Sequence, residues 1–381
     1  MGIAMAFLIG CNSTTGENLN TDYSQSGSTT IKDSDGFDKQ LGPAEIAYQS
    51  AQQFLSAGKH SEAIQSLESA VSMKPGYLEA WSQLGSTYTK IQDYEKGIAA
   101  YKSALELSPG DEGIITSIGY NYLNLKNWDE AEPYYLMLLE TDPNHHSGNI
   151  NLAFIAQNRE HFEEAIGYYN AALVASPKDA RTMGTISDLY GKLGNKEKKF
   201  EYLDKAIDAD PENHEFKKKL AKAYFSDSNY ESSVPLYEEL TKIYPDNADY
   251  HQRLGFAYSK SGRESEAPDE LEKAVSLNGG DPFTFAIMAN IYNENTMYNK
   301  AITAAKSGLN IENGGDQTAI LYYQWGEALS KLKSYEEAIV KFEKVITMND
   351  PVWSKSAEKQ VTRQTQLIKL REAQKEQELY E

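Results

Sequence analysis

The chain has 381 residues and a formal net charge of −19. This acidic balance disfavours a broad nucleic-acid or anionic-lipid surface, because both ligands are polyanions. The sequence has no run of 18 apolar residues, so it predicts no transmembrane span, and its one cysteine, Cys11, cannot form an intramolecular disulfide.

The residues before Cys11 form an uncharged apolar run, which ends in Leu8-Ile9-Gly10 and changes to polar residues directly after the cysteine. This ending resembles the lipobox of a bacterial lipoprotein signal. The resemblance implies that residues 1–10 are cleaved and that Cys11 carries the acyl chains of a membrane anchor. A plain signal peptide or an unfolded apolar start remains the alternative. A signal peptide normally opens with basic residues and has a longer apolar core, so we expect the true start to lie upstream.

Residues 11–42 are rich in Ser, Thr, Asn, Asp and Gly and contain almost no apolar residues. A segment of this composition cannot bury enough apolar surface to fold. We therefore expect a disordered tether, with a root-mean-square reach of roughly 30 Å.

Residues 43–352 repeat every 34 residues. A fixed period of this length indicates stacked helical hairpins rather than one globular core. The repeats begin near Ala44, Leu78, Glu112, His146, Ala180, His214, Ala248, Pro282 and Ala319, the last after three extra residues. Six of them end in a proline at the same position: Pro75, Pro109, Pro143, Pro177, Pro211 and Pro245.

The clearest copy carries Trp81, Leu84-Gly85 and Tyr88 in its first half, and Gly97, Tyr101, Ala104 and Pro109 in its second half. This pattern resembles the tetratricopeptide repeat (TPR). The resemblance implies an all-α, right-handed superhelical solenoid of about nine helix-turn-helix repeats, whose concave groove is lined mainly by first helices and binds protein or peptide partners.

Some positions depart from the pattern. Pro133, Pro235 and Pro268 fall early in second helices, where we expect the missing N–H to be unbonded in any case. In the fifth repeat Lys199 stands where alanine is usual, and we expect looser packing there. Residues 353–381 predict a polar helix that caps the last repeat. A coiled-coil contact with a partner is the alternative for this helix.

The groove-facing positions, read by analogy with the family, hold large aromatics, amides and basic side chains. The candidate partner-binding residues are Tyr120, Asn151, Phe154, Lys218, Lys222, Arg253, Phe256 and Asn290. Aromatics with neighbouring amides are typical of a peptide-binding groove. Ordinary filling of the groove by side chains of the same chain is the alternative.

Residues 192–222 carry nine lysines against seven acidic residues, in a chain that is otherwise acidic. This excess favours a partner with an acidic segment, and a solvated lysine face is the alternative. Some TPR proteins hold a terminal carboxylate with a lysine–asparagine clamp. Lys218 and Arg253 fit that clamp in kind, but Lys222 replaces its asparagine, and the next repeat offers Phe283 and Ile287.

No phosphate-binding loop, dinucleotide fingerprint or nucleophile elbow occurs, so we expect no enzymatic activity and no cofactor. The adjacent histidines His145 and His146 lack a firm third ligand, so no metal site is expected.

Together these patterns predict a membrane-tethered protein-interaction scaffold of the bacterial cell envelope. Asn12, in place of the aspartate that marks inner-membrane retention in some bacteria, favours the outer membrane facing the periplasm. Two alternatives stay open: a lipoprotein that binds a glycan or small solute in the groove, and a cytoplasmic TPR adaptor with a misassigned start.

Overall fold

The computed structural model describes residues 30–32 and 38–378. Its described residues form 19 α-helices, of which the first eighteen follow one another as the first and second helices of nine repeats. Their bounds are α1 Pro43–Ser56, α2 His60–Met73, α3 Leu78–Lys90, α4 Tyr94–Leu107, α5 Glu112–Asn124, α6 Trp128–Thr141, α7 His146–Asn158, α8 Phe162–Ala175, α9 Ala180–Lys192, α10 Lys196–Ala209, α11 His214–Ser226, α12 Tyr230–Ile243, α13 Ala248–Lys260, α14 Ala267–Asn278, α15 Pro282–Glu294, α16 Tyr298–Asn310, α17 Thr318–Lys331, α18 Tyr335–Thr347 and α19 Ser354–Glu378.

The starts of the first helices agree with the period of the sequence. Seven of the nine first helices begin at the predicted residue, and the other two, at Pro43 and Thr318, begin one residue earlier. A 3₁₀-helix at Glu312–Gln317 accommodates the extra residues before the ninth repeat. The predicted all-α class with about nine hairpin repeats is therefore confirmed.

The chain divides into two compact units, of which the first ends at Asn195 and the second begins at Lys196. Within each unit, consecutive helices pack against each other. The division falls inside the fifth repeat, between α9 and α10. Only Leu203 and Ala206 of α10 are buried, while Lys199 is half-buried.

A short β-hairpin lies within the segment that the sequence predicts as a tether. Strand β1 (Thr30–Lys32) pairs antiparallel with β2 (Asp38–Gln40). The rest of the predicted tether up to Gln40 lies outside the described residues.

The two helices of a hairpin approach closely where the eighth residue of the repeat is small. A Cβ added to Gly119 of α5 would lie 2.6 Å from Cζ of Tyr135 on α6, and one added to Gly326 of α17 would lie 2.8 Å from Cε1 of Phe342 on α18. Tyr135 and Phe342 are fully buried. The glycine therefore sets the distance between the helices, and the facing ring fills the space that this distance leaves.

A second recurring device ties each first helix to the turn before it. The fourth residue of three repeats donates a side-chain N–H to the carbonyl oxygen of the proline six residues earlier, at 2.8 to 2.9 Å. The three donors are Trp81, Asn149 and His251. Of these, His251 is 7% exposed, and its other ring nitrogen lies 2.6 Å from Oε2 of Glu270. Chemically different side chains thus satisfy the same buried carbonyl group.

Tyrosines at the eleventh position of a repeat bind the repeat before. Their hydroxyl groups donate to a glutamate twenty residues earlier, in the pairs Tyr88–Glu68, Tyr258–Glu238 and Tyr292–Glu272, at 2.5 to 2.9 Å. Burial, and next the glutamate, raise the pKa of Tyr88 to about 12. The phenol therefore stays neutral and keeps donating up to high pH.

Two of the three prolines in second helices lie deeper than the sequence predicts. Pro268 is the second residue of α14, as expected, but Pro133 and Pro235 are each the sixth residue of their helix. The expectation of an unbonded N–H is wrong for those two, because a sixth residue normally donates to the carbonyl four residues earlier. Both helices continue past the proline.

The last helix, α19, packs against α18 through its first half. Ala357 and Gln364 are fully buried, and Ser330 of α17 donates to Oε1 of Gln364 at 3.0 Å. Beyond this point the helix is mostly exposed, and Leu370 is 57% accessible. The first half of α19 thus covers the apolar side of the ninth hairpin, as a cap requires.

The close approach at position eight gives a testable prediction. Gly119→Ala places a methyl group against the buried ring of Tyr135, and we expect it to destabilise the fold by about 1–3 kcal/mol through overpacking. The matched control is Gly167→Ala on the exposed face of α8, where an added Cβ meets nothing within 4 Å. That change should stabilise by about 0.5–1 kcal/mol. Urea unfolding followed by circular dichroism measures both, and equal effects would contradict the packing argument.

The bond to the proline carbonyl gives a second prediction. His251→Leu removes a buried donor and should cost about 1–3 kcal/mol of unfolding free energy, because the Pro245 carbonyl is left unpaired. His251→Asn should cost less, since Asn149 makes the same bond in the fourth repeat. Thermal and urea unfolding of the two variants give the comparison. An asparagine variant no more stable than the leucine variant would show that the carbonyl bond contributes nothing.

Candidate functional site

All eight predicted partner-binding residues lie on first helices, but the two units divide them. The first unit holds Tyr120 on α5 and Asn151 and Phe154 on α7, all half-buried. The Phe154 ring packs edge-on against Trp128, the first residue of α6, with 5.9 Å between ring centroids. The side-chain amide of Asn151 donates to the carbonyl oxygen of Ser147 at 2.8 Å. Neighbouring groups of the first unit therefore already occupy part of this surface.

In the second unit, three phenylalanines on successive first helices form a continuous aromatic row (Phe225 of α11, Phe256 of α13 and Phe283 of α15). The Phe256 centroid lies 5.5 Å from that of Phe225 and 5.9 Å from that of Phe283. Tyr230, the first residue of α12, packs edge-on against Phe256 at 5.3 Å. Phe283 is 45% exposed, which is unusual for so large an apolar ring. The row thus ends in an accessible aromatic surface.

Basic side chains surround the aromatic row. The Arg253 guanidinium carbon lies 5.3 Å from the Phe225 centroid, and Lys260 Nζ lies 5.6 Å from the Phe256 centroid. Lys222 is exposed and has no ion-pair or hydrogen-bond partner among the described residues. Cations held at aromatic faces are favourable, so Arg253 and Lys260 contribute to the stability of the row.

Two of the predicted cations are already paired. Lys218 Nζ lies 2.8 Å from Glu215 Oε1 and 4.5 Å from the Tyr244 ring centroid, and the Glu215 hydrogen bond raises the pKa of Lys218. Arg253 Nε lies 2.8 Å from Asp249 Oδ2, whose hydrogen bond raises the pKa of the guanidinium. A clamp that needs Lys218 and Arg253 as open cations is therefore disfavoured, and Lys222 is the available charge.

The last predicted residue, Asn290, is part of an internal hydrogen-bond chain. It donates to Glu294 Oε1 and accepts from Gln324 Nε2, both at 2.9 Å. Its amide is therefore engaged within the second unit and does not contact the aromatic row.

Sequence reasoning missed Phe225 and Tyr230 and left Phe283 unassigned. Phe225 is the twelfth residue of its repeat, Phe256 the ninth and Phe283 the second, so the three do not share one repeat position. The available signal was the pairing of the first residue of a second helix with the ninth residue of the next repeat, which occurs in Trp128–Phe154 and again in Tyr230–Phe256.

The structure does not describe all of the other predicted features. Cys11 and residues 1–10 lie outside the described residues. In the described part of the chain, no helix has the length and apolarity to cross a membrane, and no three His, Cys, Asp or Glu side chains are grouped to hold a metal ion. His145 accepts from the Gly148 N–H and thereby caps α7, while His146 faces Asp179 at 3.6 Å.

These hairpins, with a small residue between paired helices and an aromatic at the eleventh position, define a helical-repeat protein of the all-α class. Sequence comparison gives the family. A family model described as Tetratricopeptide repeat matches residues 48–112, 116–180 and 218–282, which is more than half of the chain, and a second matches residues 180–213 and 319–351. The chain belongs to the tetratricopeptide repeat family.

Several solved structures are similar to part of this chain at low sequence identity. A MamA structure is 18% identical with a TM-score of 0.42 and covers 46% of this chain and 94% of its own. YrrB, described as a TPR protein with an unusual peptide-binding site, is 20% identical with a TM-score of 0.40, covering 49% and 92%. PilW, described as a type IV pilus biogenesis factor, is 19% identical with a TM-score of 0.41, covering 53% and 94%. No curated protein matches the sequence.

Proposed function

We propose that this chain is a membrane-tethered protein-interaction scaffold of the bacterial cell envelope, facing the periplasm from the outer membrane. Lipid on Cys11 anchors one end, the segment up to residue 42 gives reach, and the repeats recruit a partner. The observation that carries the binding function is the aromatic row with its exposed Phe283, on first helices of a TPR protein. The lipobox resemblance supports the anchor.

The chemistry of the row indicates the partner. Phe283 offers a large accessible apolar face, and exposed aromatics are the residues around which protein interfaces concentrate their binding energy. Lys222, three residues before Phe225 on α11, and Lys260, next to the Phe256 ring, are exposed and carry positive charge in a chain of net charge −19. A partner segment with acidic residues and a large apolar side chain would complement both features.

The first prediction from this proposal concerns partner capture. Phe283→Ser and Lys222→Glu should each reduce recovery of a specific polypeptide from crosslinked, detergent-solubilised envelopes, and the double variant should lose it. Lys222 is a better target than Lys218, since a glutamate at 218 would stand next to Glu215 and disturb an existing pair. Quantitative mass spectrometry of the captured material gives the measurement.

Matched controls are available in the same unit. Val340→Ser on α18 removes an apolar side chain of comparable exposure (49%), and Lys273→Glu on α14 makes the same charge change on a second helix. Both should leave capture unchanged. A polypeptide that all four variants retain does not bind at the aromatic row. If no polypeptide is captured while a glycan or small solute binds the purified protein, the scaffold proposal is replaced by the ligand-binding alternative.

The second prediction tests the anchor. With the full native reading frame expressed in its host, radiolabelled fatty acid should be incorporated into the wild-type protein and not into Cys11→Ser. The variant should also move from the membrane fraction to the supernatant after cell breakage, because no acyl chain then holds it. Equal incorporation into both proteins, or into neither, would remove the lipid anchor and favour the adaptor alternative.

A further inference from the structure

The connection between α14 and α15 contains an asparagine that is followed directly by a glycine. It reads Asn278-Gly279-Gly280-Asp281 and leads into α15, whose second residue is Phe283 of the aromatic row. Asn278 and Gly279 are both exposed. Asparagine is a thermolabile residue, and a following glycine makes it more reactive because no Cβ hinders the glycine nitrogen. The pair is therefore a candidate for a reaction of the chain with itself.

The reaction takes place within the two residues. The backbone nitrogen of Gly279 gives up its proton and forms a bond to Cγ of Asn278, the bond from Cγ to the side-chain amide nitrogen breaks, and ammonia leaves. Water then opens the resulting succinimide ring at one of its two carbonyl groups, which yields aspartate or isoaspartate. The co-reactant is water, which reaches these exposed residues directly.

The folded connection opposes this reaction at the attacking nitrogen. Gly279 ends α14 in the left-handed conformation, with a φ of 82°, and its N–H donates to the carbonyl oxygen of Val275 at 2.7 Å. A nitrogen whose hydrogen is held in this way gives up its proton less readily, and its attack on the side chain would break the hydrogen bond. The bond that ends the helix thus also holds the nucleophile.

The backbone and side chain of Asn278 oppose the reaction as well. Asn278 is the last residue of α14, and ring closure needs its Cβ and the Gly279 nitrogen on the same side of the Cα–C bond. A helical ψ turns that nitrogen away from Cβ. Oδ1 of Asn278 accepts from the Gly280 N–H at 2.9 Å, which fixes the amide in place. The ring can therefore form only after the end of the helix has opened.

We propose that Asn278 is a latent site of self-modification, which the folded connection holds unreactive and which converts to aspartate and isoaspartate when the end of α14 opens. Isoaspartate adds one carbon atom to the main chain, so the Gly279 N–H no longer meets the Val275 oxygen as before. An opening that is reversible with asparagine thereby becomes permanent, at the connection that precedes Phe283. This inference does not depend on the proposed function, because the reaction needs only this chain and water.

The test follows the Asn278 amide in the purified full chain at mildly alkaline pH. Asn313→Gln serves as the background, because it removes the second Asn-Gly pair of the sequence. Mass spectrometry of tryptic peptides measures loss of the amide, and an isoaspartyl methyltransferase assay detects the product. The loss should be about tenfold or more slower in the native protein than in guanidinium chloride, because local opening limits it. Equal rates in the two states would overturn the inference.

Two glycine variants separate local opening from general destabilisation. Gly280→Ala keeps the reactive pair, but its Cβ would lie 2.9 Å from Cε2 of Phe285 at a φ of 75°, which strains the connection. It should accelerate the native reaction about tenfold and leave the rate in denaturant unchanged. Gly262→Ala has a similar φ of 80° in the turn before α14, where an added Cβ meets nothing within 4 Å, and it should leave the native rate near that of the wild type.

Circular dichroism shows whether both variants are folded. Equal acceleration by the two would indicate global unfolding, and a folded Gly280→Ala protein without acceleration would show that these contacts do not protect Asn278. Either result contradicts the inference.

Hydrogen exchange gives a readout that needs no variant and decides the matter if Gly280→Ala does not fold. The Gly279 amide should exchange slowly in the native protein, and small additions of denaturant should speed its exchange and the loss of the Asn278 amide by the same factor. Fast exchange at Gly279 together with a slow reaction at Asn278 would show that the bond to Val275 gives no protection, and the inference would be wrong. The capture experiment at Phe283 and Lys222 is independent of these results.

Discussion

The structure depends on how closely the two helices of each hairpin approach. Where the eighth residue is glycine, as at Gly119 and Gly326, the facing aromatic ring of the second helix lies directly on the first-helix backbone. That contact leaves no room for adjustment, because an interior at crystal-like density cannot absorb an extra methyl group without moving a buried ring. Within each unit, a hairpin of fixed thickness then places a first helix at a defined distance from the next. This distance determines which residues of neighbouring first helices can contact each other.

One consequence of the fixed spacing is that the twelfth residue of a first helix meets the sixth and ninth residues of the next. Phe225 thus lies against Arg253 and Phe256, which builds the aromatic row. Two repeats later the same register places Asn293 against Gln324, with Glu327 at the ninth position. The backbone geometry is the same in both cases, and only the residue types differ. One arrangement therefore produces an accessible aromatic surface at one place and a chain of side-chain hydrogen bonds at another.

This register explains what the sequence could and could not predict. Helix starts follow from the 34-residue period, since proline and glycine turn signals recur with it, and the predicted starts were correct to within one residue. The contacts of individual side chains cannot be predicted from the period, because these contacts join different repeats and depend on side-chain rotamers. Lys218 was predicted to bind a partner, and the pattern did not indicate its contacts with Glu215 one turn away and with Tyr244, the residue after α12. Phe225 was not predicted, because its ring packs against Phe256, which lies 31 residues later in the sequence. The pattern placed Pro133 near the start of its helix, but the helix begins at Trp128, so the proline is its sixth residue.

Recurring hydrogen bonds to buried polar groups connect each of several first helices to the residues before it. Three proline carbonyls accept from a tryptophan, an asparagine or a histidine at the same repeat position. The hydroxyl groups of Tyr88, Tyr258 and Tyr292 donate to glutamates of the preceding repeat. One side chain with a suitable hydrogen-bonding group is therefore enough to satisfy such a buried polar group. Because different residue types can satisfy the same backbone carbonyl, this position of the repeat can vary while the first helix keeps its bond to the preceding turn.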